Sequence, residues 1–167
     1  MRNLYPILFA ALLIAGCCGP IEDAATYSVD SDSGSAASDQ VLEDAKPYLS
    51  PIKTEDIGFR IEAANISKNC TSGDKTCQVH EVYRHVVENY NYYADPRRDE
   101  FVQSPNTTIQ VGGGDCEDLT ILLNTYLENI GVETYVVLTD THAYSLACGV
   151  DTDELFYYIE ELFDVDE

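Results

Sequence analysis

The stretch GGGDCEDLTILLNTYLENIGVETYVVLTDTHAYSLA, residues 112–147, decides the fold that the sequence predicts. Apolar residues follow Cys116 at the spacing of three and four that marks one face of a helix. Gly131 stands where such a helix would end, because glycine readily adopts the left-handed conformation that is common after the last helical turn. The pattern therefore predicts a helix over residues 116–130.

Two strands are predicted directly after this helix. Residues 132–139 and 142–150 are rich in β-branched and aromatic side chains, which favour strands. Only Asp140 and Thr141 separate the two runs, so the strands should pair antiparallel across a tight turn.

The lengths of these elements bring a thiol and an imidazole together. The helix carries the chain about 22 Å away from Cys116 at ~1.5 Å per residue, and the strand over 132–139 returns it about 26 Å at ~3.3 Å per residue. The next strand then begins with His142, at the level of Cys116. Because a cysteine nucleophile and its histidine base need this arrangement, we predict Cys116 and His142 as a catalytic pair. An ordinary core cysteine with an ordinary surface or core histidine is the alternative.

The start of the predicted helix exerts opposing influences on the Cys116 thiol. The helix N-terminus favours a thiolate, whereas the carboxylates of Asp115, Glu117 and Asp118 oppose thiol ionisation. Asp115 and Asp118 also have the spacing of a helix cap. The glycines at 112–114 allow backbone to approach closely, so that a substrate carbonyl could reach a half-buried thiol.

The order Gly-Asp-Cys-x-Asp-Leu-Thr, then a strand, then His-Ala-Tyr resembles the core of the transglutaminase-like superfamily. The resemblance covers about residues 77–150, and the upstream runs YNYYADPRRDEF and SPNTTIQVGGGDC are similar to archaeal exported members. It implies an α+β fold of papain-like type, with the nucleophile helix packed on an antiparallel sheet and a Cys-His-Asp triad. By this resemblance Cys116 would be the nucleophile and His142 the base. The implied activity is hydrolysis or acyl transfer at amide bonds of peptides or proteins, through a thioacyl intermediate on Cys116.

The third member of the triad stays unassigned. In the family it is an aspartate on the strand after the histidine strand, but here an acidic helix follows, capped by Asp151 or Asp153. Asp140, Asp151 or Asp153 could substitute, the domain could be incomplete at its C-terminus, or it could be an inactive copy. The last possibility gives the alternative function, a catalytically inactive, membrane-tethered surface module that binds peptide or glycan in the same groove.

The acids around Cys116 also raise the question of calcium. Some exported proteases of this superfamily carry calcium beside a similar Asp-Cys-Glu-Asp run. Calcium prefers carboxylate oxygens, so Asp115, Glu117 and Asp118 are candidate ligands. A bound cation would offset the effect of these acids on the thiol. We predict that these acids act as plain helix caps with no metal or cofactor, and calcium binding is the alternative.

The N-terminal region has the composition of a leader and a tether. Residues 1–17 are predicted to be a lipoprotein-type signal peptide ending in Ile-Ala-Gly-Cys, with Cys17 as the lipid acceptor. An ordinary signal peptide or a single membrane anchor is the alternative. Residues 18–45 are acidic and rich in serine, as in a flexible tether, and residues 46–167 would form the folded, exported domain at the cell surface. The oligomeric state is left open.

The charge balance limits the classes of partner that the protein can bind. The chain has 30 acidic residues against 9 Lys and Arg, a net charge of −21, which disfavours binding to nucleic acid. Three acceptor-type sequons, at Asn65, Asn69 and Asn106, are typical of exported chains.

The remaining cysteines and histidines receive structural predictions. Cys70 and Cys77 flank a turn-like run and should form a local disulfide, with a metal pair as the alternative. Cys148 is predicted to lie in the core, and His80 and His85 to be exposed on a helix.

Further helices and one loop complete the predicted domain. Helices are expected around residues 55–64, over 77–93 and near the C-terminus, and residues 95–114 are expected to form a loop.

Overall fold

The computed structural model of the chain describes residues 13–15, 36–95, 101–139 and 142–162, with side chains described between residues 42 and 158 of these ranges. Within them lie six helices: α1 Ala36–Leu49, α2 Ile57–Ile66, α3 Lys75–Asn89, α4 Pro105–Val111, α5 Cys116–Asn129 and α6 Thr152–Leu162. Five short strands accompany them: β1 Leu13–Ala15, β2 Asn91–Tyr92, β3 Gly113–Gly114, β4 Thr134–Leu138 and β5 Ala143–Cys148. The predicted α+β fold is confirmed.

Helix α5 is the centre of the domain. Nearly all of its residues are buried, because α2, α3, α4 and the strands β4 and β5 all pack against it. Leu122, Tyr126 and Leu127 of α5 join Val79 and Val82 of α3 in the main hydrophobic cluster. A helix that is buried nearly all round is held chiefly by tertiary packing, so its position is set by the whole core.

The strands β4 and β5 form the predicted antiparallel pair, from Thr134 opposite Ala147 to Leu138 opposite Ala143. The main-chain N–H of Thr139 donates to the carbonyl of His142 at 2.8 Å, which joins the end of β4 to the start of β5. On the face toward α5, the Ser145 hydroxyl donates to the Asn124 amide oxygen. Helix α5 is therefore packed on the antiparallel sheet, as predicted.

A third strand lies at the other edge of β5. The strand β1 pairs with β5 in parallel, with Leu13 opposite Leu146. This strand falls inside the segment predicted to be a leader, and α1 begins inside the segment predicted to be a tether. Among the described residues no helix is both long enough and apolar enough to span a membrane.

The predicted helices agree with the structure to within about four residues at each end. Helix α2 is capped by Asp56, whose carboxylate accepts from the N–H groups of Gly58 and Phe59. Helix α3 ends at a cap on Tyr90, and α6 begins after Asp151, whose carboxylate accepts from the Glu154 N–H at 3.0 Å. Of the two predicted caps of α6, Asp151 is therefore the one used.

The prediction of a loop over residues 95–114 is wrong for its second half, which contains α4 and β3. Ser104 caps α4, Pro105 occupies its first turn, and Gly112 ends it in the left-handed conformation at φ 81°. These three residues are a recognised start and stop signal for a helix. The helix is short, so its apolar periodicity is too brief to reveal it.

The parallel pair β2–β3 positions the segment before Cys116. Asn91 lies opposite Gly113, and the Tyr93 N–H donates to the Gly114 carbonyl at 2.8 Å. Gly113 has φ 155°, and a Cβ added there would lie 1.9 Å from the Asn91 carbonyl oxygen. Only glycine permits this close approach, which leads the chain directly into α5.

The cysteines behave largely as predicted. Cys70 and Cys77 form the local disulfide, with an S–S distance of 2.02 Å, which ties the end of α2 to the first turn of α3. Cys148 is buried at 4% exposure, which confirms its place in the core. It is also disulfide-bonded, which the sequence did not predict.

The prediction that His80 and His85 are exposed is wrong, because both are half-buried. His80 stacks on Tyr158 of α6 with ring centroids 4.8 Å apart. His85 meets the Tyr126 ring edge-on, and burial lowers its pKa. Their neighbours lie on helices distant in sequence, so the local pattern of α3 could not reveal them.

Candidate active site

Cys116 is the first residue of α5, and its thiol is free and half-buried, as predicted. The main-chain N–H of Ala143, the first residue of β5, lies close enough to the Cys116 sulfur to lower the pKa of the thiol. The thiol donates to Glu117 Oε2 at 3.1 Å. The sulfur is therefore held between the first turn of α5 and the start of β5.

His142 immediately precedes the residue that contacts the sulfur. Its side chain is half-buried with a buried Nε2 atom, and its carbonyl is held by the N–H and hydroxyl of Thr139. The start of β5 thus lies near Cys116, as the lengths of helix and strand predict. The effect of the Ala143 N–H on the pKa of Cys116 reflects this proximity.

The acids at the start of α5 form the predicted cap. Asp115 and Asp118 make a capping box, in which each carboxylate accepts from the other residue's N–H. Asp118 is fully buried and also accepts from the main-chain and side-chain N–H groups of Gln103. Gln103 thereby fixes the segment before α4 against α5, a role with no local sequence signal.

A cluster of three carboxylates lies beside the thiol. Oxygen atoms of Asp95, Asp115 and Glu117 all lie within 4.8 Å of one another. Asp115 and Glu117 are almost completely buried, at 6% and 4% exposure. We call this group the carboxylate cluster. Asp95, which the sequence did not single out, thus lies where Asp118 was expected, because Asp118 is engaged by Gln103.

Burial and mutual repulsion perturb the ionisation of this cluster. The pKa of Asp115 rises to about 8, first because the group is desolvated, and then because it shares a hydrogen bond with Glu117 and faces its charge. Asp115 therefore holds a proton near neutral pH. Desolvation likewise raises the pKa of Asp118, although hydrogen bonds from Gln103 oppose this effect.

The pKa of the Cys116 thiol is also raised. The pKa of Cys116 is raised to about 12, chiefly by burial and also by the hydrogen bond and charge of Glu117, while the nearby Ala143 N–H acts in the opposite direction. Such a rise corresponds to about 4 kcal/mol, whereas a helix N-terminus contributes only ~0.3–1 kcal/mol. The expectation that the helix favours a thiolate is therefore outweighed by burial and by the acids in this structure.

Tyr92 is a further member of the site that the sequence did not predict. Its ring is half-buried, and its pKa is raised by desolvation and then by the negative charges of Cys116, Asp115, Glu117 and Asp95. The phenol therefore lies in the field of the thiol and of the carboxylate cluster. Its strand position opposite Gly114 explains this placement.

A comparison with protein families identifies the family to which this fold belongs. The family model described as the transglutaminase-like superfamily matches residues 63–158, which is more than half of the chain. The chain belongs to the transglutaminase-like superfamily. No curated protein and no solved structure matches it.

Within this transglutaminase-like domain, the match runs from α2 through α3, the Cys116 helix and both strands to α6. It therefore includes the residues of the carboxylate cluster and both members of the predicted catalytic pair. The match establishes the fold family, and the chemistry of the site is argued below from its geometry.

Two candidates for the third triad acid are excluded by their position. His142 precedes the first residue of β5, whereas Asp151 and Asp153 follow the strand's last residue. A strand of this length spans about 20 Å at ~3.3 Å per residue, which is too far for a hydrogen bond to His142. Asp140, the remaining candidate, lies outside the described residues.

Proposed function

We propose that this transglutaminase-like domain is a thiol enzyme that acts on amide bonds of peptides or proteins, by hydrolysis or by acyl transfer. The single observation that carries the proposal is the proximity of the Ala143 N–H to the Cys116 sulfur, which is close enough to lower the pKa of the thiol. This proximity places the residue next to His142 beside a thiol at a helix N-terminus. A nucleophile and its base require such an approach of two elements.

The proposed reaction follows from these positions. His142 accepts the thiol proton as the Cys116 sulfur bonds to the amide carbonyl carbon, and the carbonyl oxygen becomes an oxyanion. The main-chain N–H of Cys116, in the first turn of α5, has no acceptor within the helix and can donate to that oxyanion. His142 then protonates the leaving amine as the carbon–nitrogen bond breaks. Water or a second amine displaces the sulfur from the thioacyl intermediate and restores the thiol.

Loss of turnover in Cys116→Ala is the direct test. The wild-type protein should release amine or ammonia from peptide amides, or incorporate a primary-amine probe into a protein, and Cys116→Ala should lose this activity by on the order of 10³-fold or more. Intact-mass measurement of the wild type with excess peptide should detect the thioacyl adduct. Unchanged turnover in Cys116→Ala at matched folding, measured by circular dichroism, would reject the proposal.

We further propose that the carboxylate cluster binds calcium. Calcium–oxygen distances are about 2.3–2.6 Å, so two ligand oxygens on one ion lie at most about 5 Å apart, and oxygens of Asp95, Asp115 and Glu117 meet this limit. A bound divalent cation would favour the ionised carboxylates and the ionised thiol. It would thus counteract the charges that raise the pKa of Cys116.

Calcium should stabilise the protein, and more so at alkaline than at acidic pH. The folded-state pKa of Asp115 is raised to about 8, so the fold favours the protonated carboxyl. Without metal, the free energy of unfolding therefore falls as pH rises from about 4 to 8 and this proton is lost. Calcium needs the ionised form, and a concentration of about 100 times Kd would contribute about 2.7 kcal/mol. The measurement is the melting temperature with calcium or with chelator, at pH values on both sides of the Asp115 pKa.

A matched pair of variants tests the calcium site. Asp95→Asn removes one oxygen ligand of the cluster and should abolish most of the calcium-dependent rise in melting temperature. Asp153→Asn removes an exposed acid on α6 and should leave that rise intact. An equal rise in both variants would show that calcium acts only by screening the net charge.

A catalytically inactive binding module is the second candidate function, and the raised thiol pKa favours it. In such a protein, iodoacetamide should label native Cys116 no faster than the same cysteine in the urea-unfolded chain. The unfolded chain is the appropriate comparison because Cys148 is disulfide-bonded. Faster labelling of the native thiol in the presence of calcium supports the enzyme and contradicts the binding module.

We also propose that the protein is exported and lipid-anchored through Cys17. The disulfide between Cys70 and Cys77 supports export, since such bonds persist mainly in oxidising compartments. A labelled fatty acid supplied to expressing cells should therefore be incorporated into the wild type and not into Cys17→Ser. Equal incorporation into both would contradict the anchor.

A further inference from the structure

We propose that Tyr92 is a further catalytic residue, whose phenol O–H donates a hydrogen bond to the oxyanion that forms when Cys116 attacks a carbonyl. The inference rests on the proposed function and deepens it, because it assigns a second oxyanion donor beside the Cys116 N–H. It is carried by the face of the β2–β3 pair on which Tyr92 lies and by the part of α5 that this face meets.

The pairing of β2 with β3 sets the direction of the Tyr92 side chain. Tyr92 lies opposite Gly114 in this parallel pair, and residues paired in this way point to the same face of a sheet. A Cβ added to Gly114 would lie 2.4 Å from the Cβ of Asp118, which belongs to the first turn of α5. The face that carries Tyr92 is therefore the face toward the start of α5 and Cys116.

Backbone hydrogen bonds on both sides of Tyr92 hold it in this register. The Asn91 N–H donates to the Gly112 carbonyl at 2.9 Å, and the Tyr93 N–H donates to the Gly114 carbonyl at 2.8 Å. The Tyr92 ring also packs against the main hydrophobic cluster, which limits its movement. The phenol is thus presented to α5 from a fixed strand, and a donor fixed in advance is the kind that stabilises a transition state.

The charges that act on the phenol agree with this direction. After desolvation, the negative charge of Cys116 is the largest of the effects that raise the pKa of Tyr92, ahead of Asp115, Glu117 and Asp95. The phenol therefore lies in the field of the sulfur that forms the new bond. A phenol that keeps its proton is a hydrogen-bond donor.

An oxyanion at this site is opposed by its surroundings. As the sulfur–carbon bond forms, an electron pair of the carbonyl moves onto oxygen, beside the carboxylate cluster, and like charges repel. A neutral O–H directed at that oxygen offsets the repulsion without adding charge. The phenol keeps its proton throughout, and the electron pair returns to the carbonyl when the bond to the leaving group breaks.

The experiment separates acylation of Cys116, which forms an oxyanion, from alkylation, which forms none. p-Nitrophenyl acetate acetylates the thiol and releases nitrophenolate, whereas iodoacetamide forms a carbon–sulfur bond and releases iodide. In the full-length protein, Tyr92→Phe keeps the ring and should slow acetylation by on the order of 10²-fold, with alkylation within about threefold of the wild type. Intact-mass measurement of the Cys116 adducts gives both rates.

Tyr93→Phe is the matched control. Tyr93 is the next residue along the extended segment, so its side chain points to the opposite face, and it is 48% exposed. Removal of this hydroxyl should leave the rates of acetylation and alkylation within about threefold of the wild type.

The possible outcomes distinguish the inference from the proposed function. Equal acetylation of the wild type and Tyr92→Phe would overturn the role of Tyr92 and leave the thiol enzyme standing. Equal slowing of acetylation and alkylation in Tyr92→Phe would also overturn it, because a structural effect on the thiol changes both rates. Slowing of acetylation in Tyr93→Phe to the same extent would do so too. A wild type that is alkylated but not acetylated would reject the proposed function together with the inference.

Discussion

His142→Ala should lower kcat/KM for peptide amides by on the order of 10³-fold, with the fold unchanged. The thiol of Cys116 has its pKa raised to about 12, so almost none of it is ionised near neutral pH. Without a base in place to accept the proton, attack must wait for the rare thiolate. The residual activity of the variant should therefore rise about tenfold per pH unit toward that pKa, and the pH profile is the decisive measurement.

A second half-buried histidine provides the control. His80→Ala removes an imidazole in the first half of α3 that stacks on Tyr158 of α6, and should leave kcat/KM within about threefold of the wild type. If His142→Ala retained as much activity as His80→Ala, the catalytic pair would be wrong. The superfamily fold would remain, and the binding module would become the better account.

Gly113→Ala should destabilise the domain by about 4 kcal/mol or more. Gly113 has φ 155°, a conformation that other residues rarely adopt, and an added Cβ would lie 1.9 Å from the Asn91 carbonyl oxygen. Asn91 cannot move away easily, because its N–H is bound to the Gly112 carbonyl and the Tyr93 N–H is bound to Gly114. The clash must therefore break the β2–β3 pairing.

Substitution of the adjacent residue, Gly112, distinguishes the cost of backbone strain from the cost of a steric clash. Gly112 also has a positive φ, 81°, but an added Cβ there would meet no atom within 4 Å. Gly112→Ala should therefore cost only about 1 kcal/mol. Urea unfolding of the two variants gives the difference, and alkylation of Cys116 reports whether the entrance to α5 has shifted. Equal destabilisation of both would show that the close approach to Asn91 is not maintained in solution.

Local pattern alone determined the order of helix, strand and strand over residues 116–150. The helix has regular apolar spacing and a glycine stop, and the strands have β-branched runs with a two-residue turn between them. Because helices and strands have fixed rises per residue, counting also placed the start of β5 near Cys116. The effect of the Ala143 N–H on the pKa of Cys116 agrees with that placement. Helix α4 carried readable signals in Ser104, Pro105 and Gly112, but seven residues are too few to show a period.

Tertiary structure decided the chemistry of the site. Asp95 and Gln103 come from segments whose sequence marks neither as a site residue, yet Asp95 completes the carboxylate cluster and Gln103 holds Asp118. The pKa of Cys116 depends on how much water the sulfur has lost and on which charges surround it. The burial of His80 and His85 on α3 could not be predicted either, because the residues that cover them lie on helices distant in sequence. Hydrophobic periodicity and secondary-structure propensity depend on residues that are neighbours along the chain. Burial and charge environment arise only when distant segments pack together.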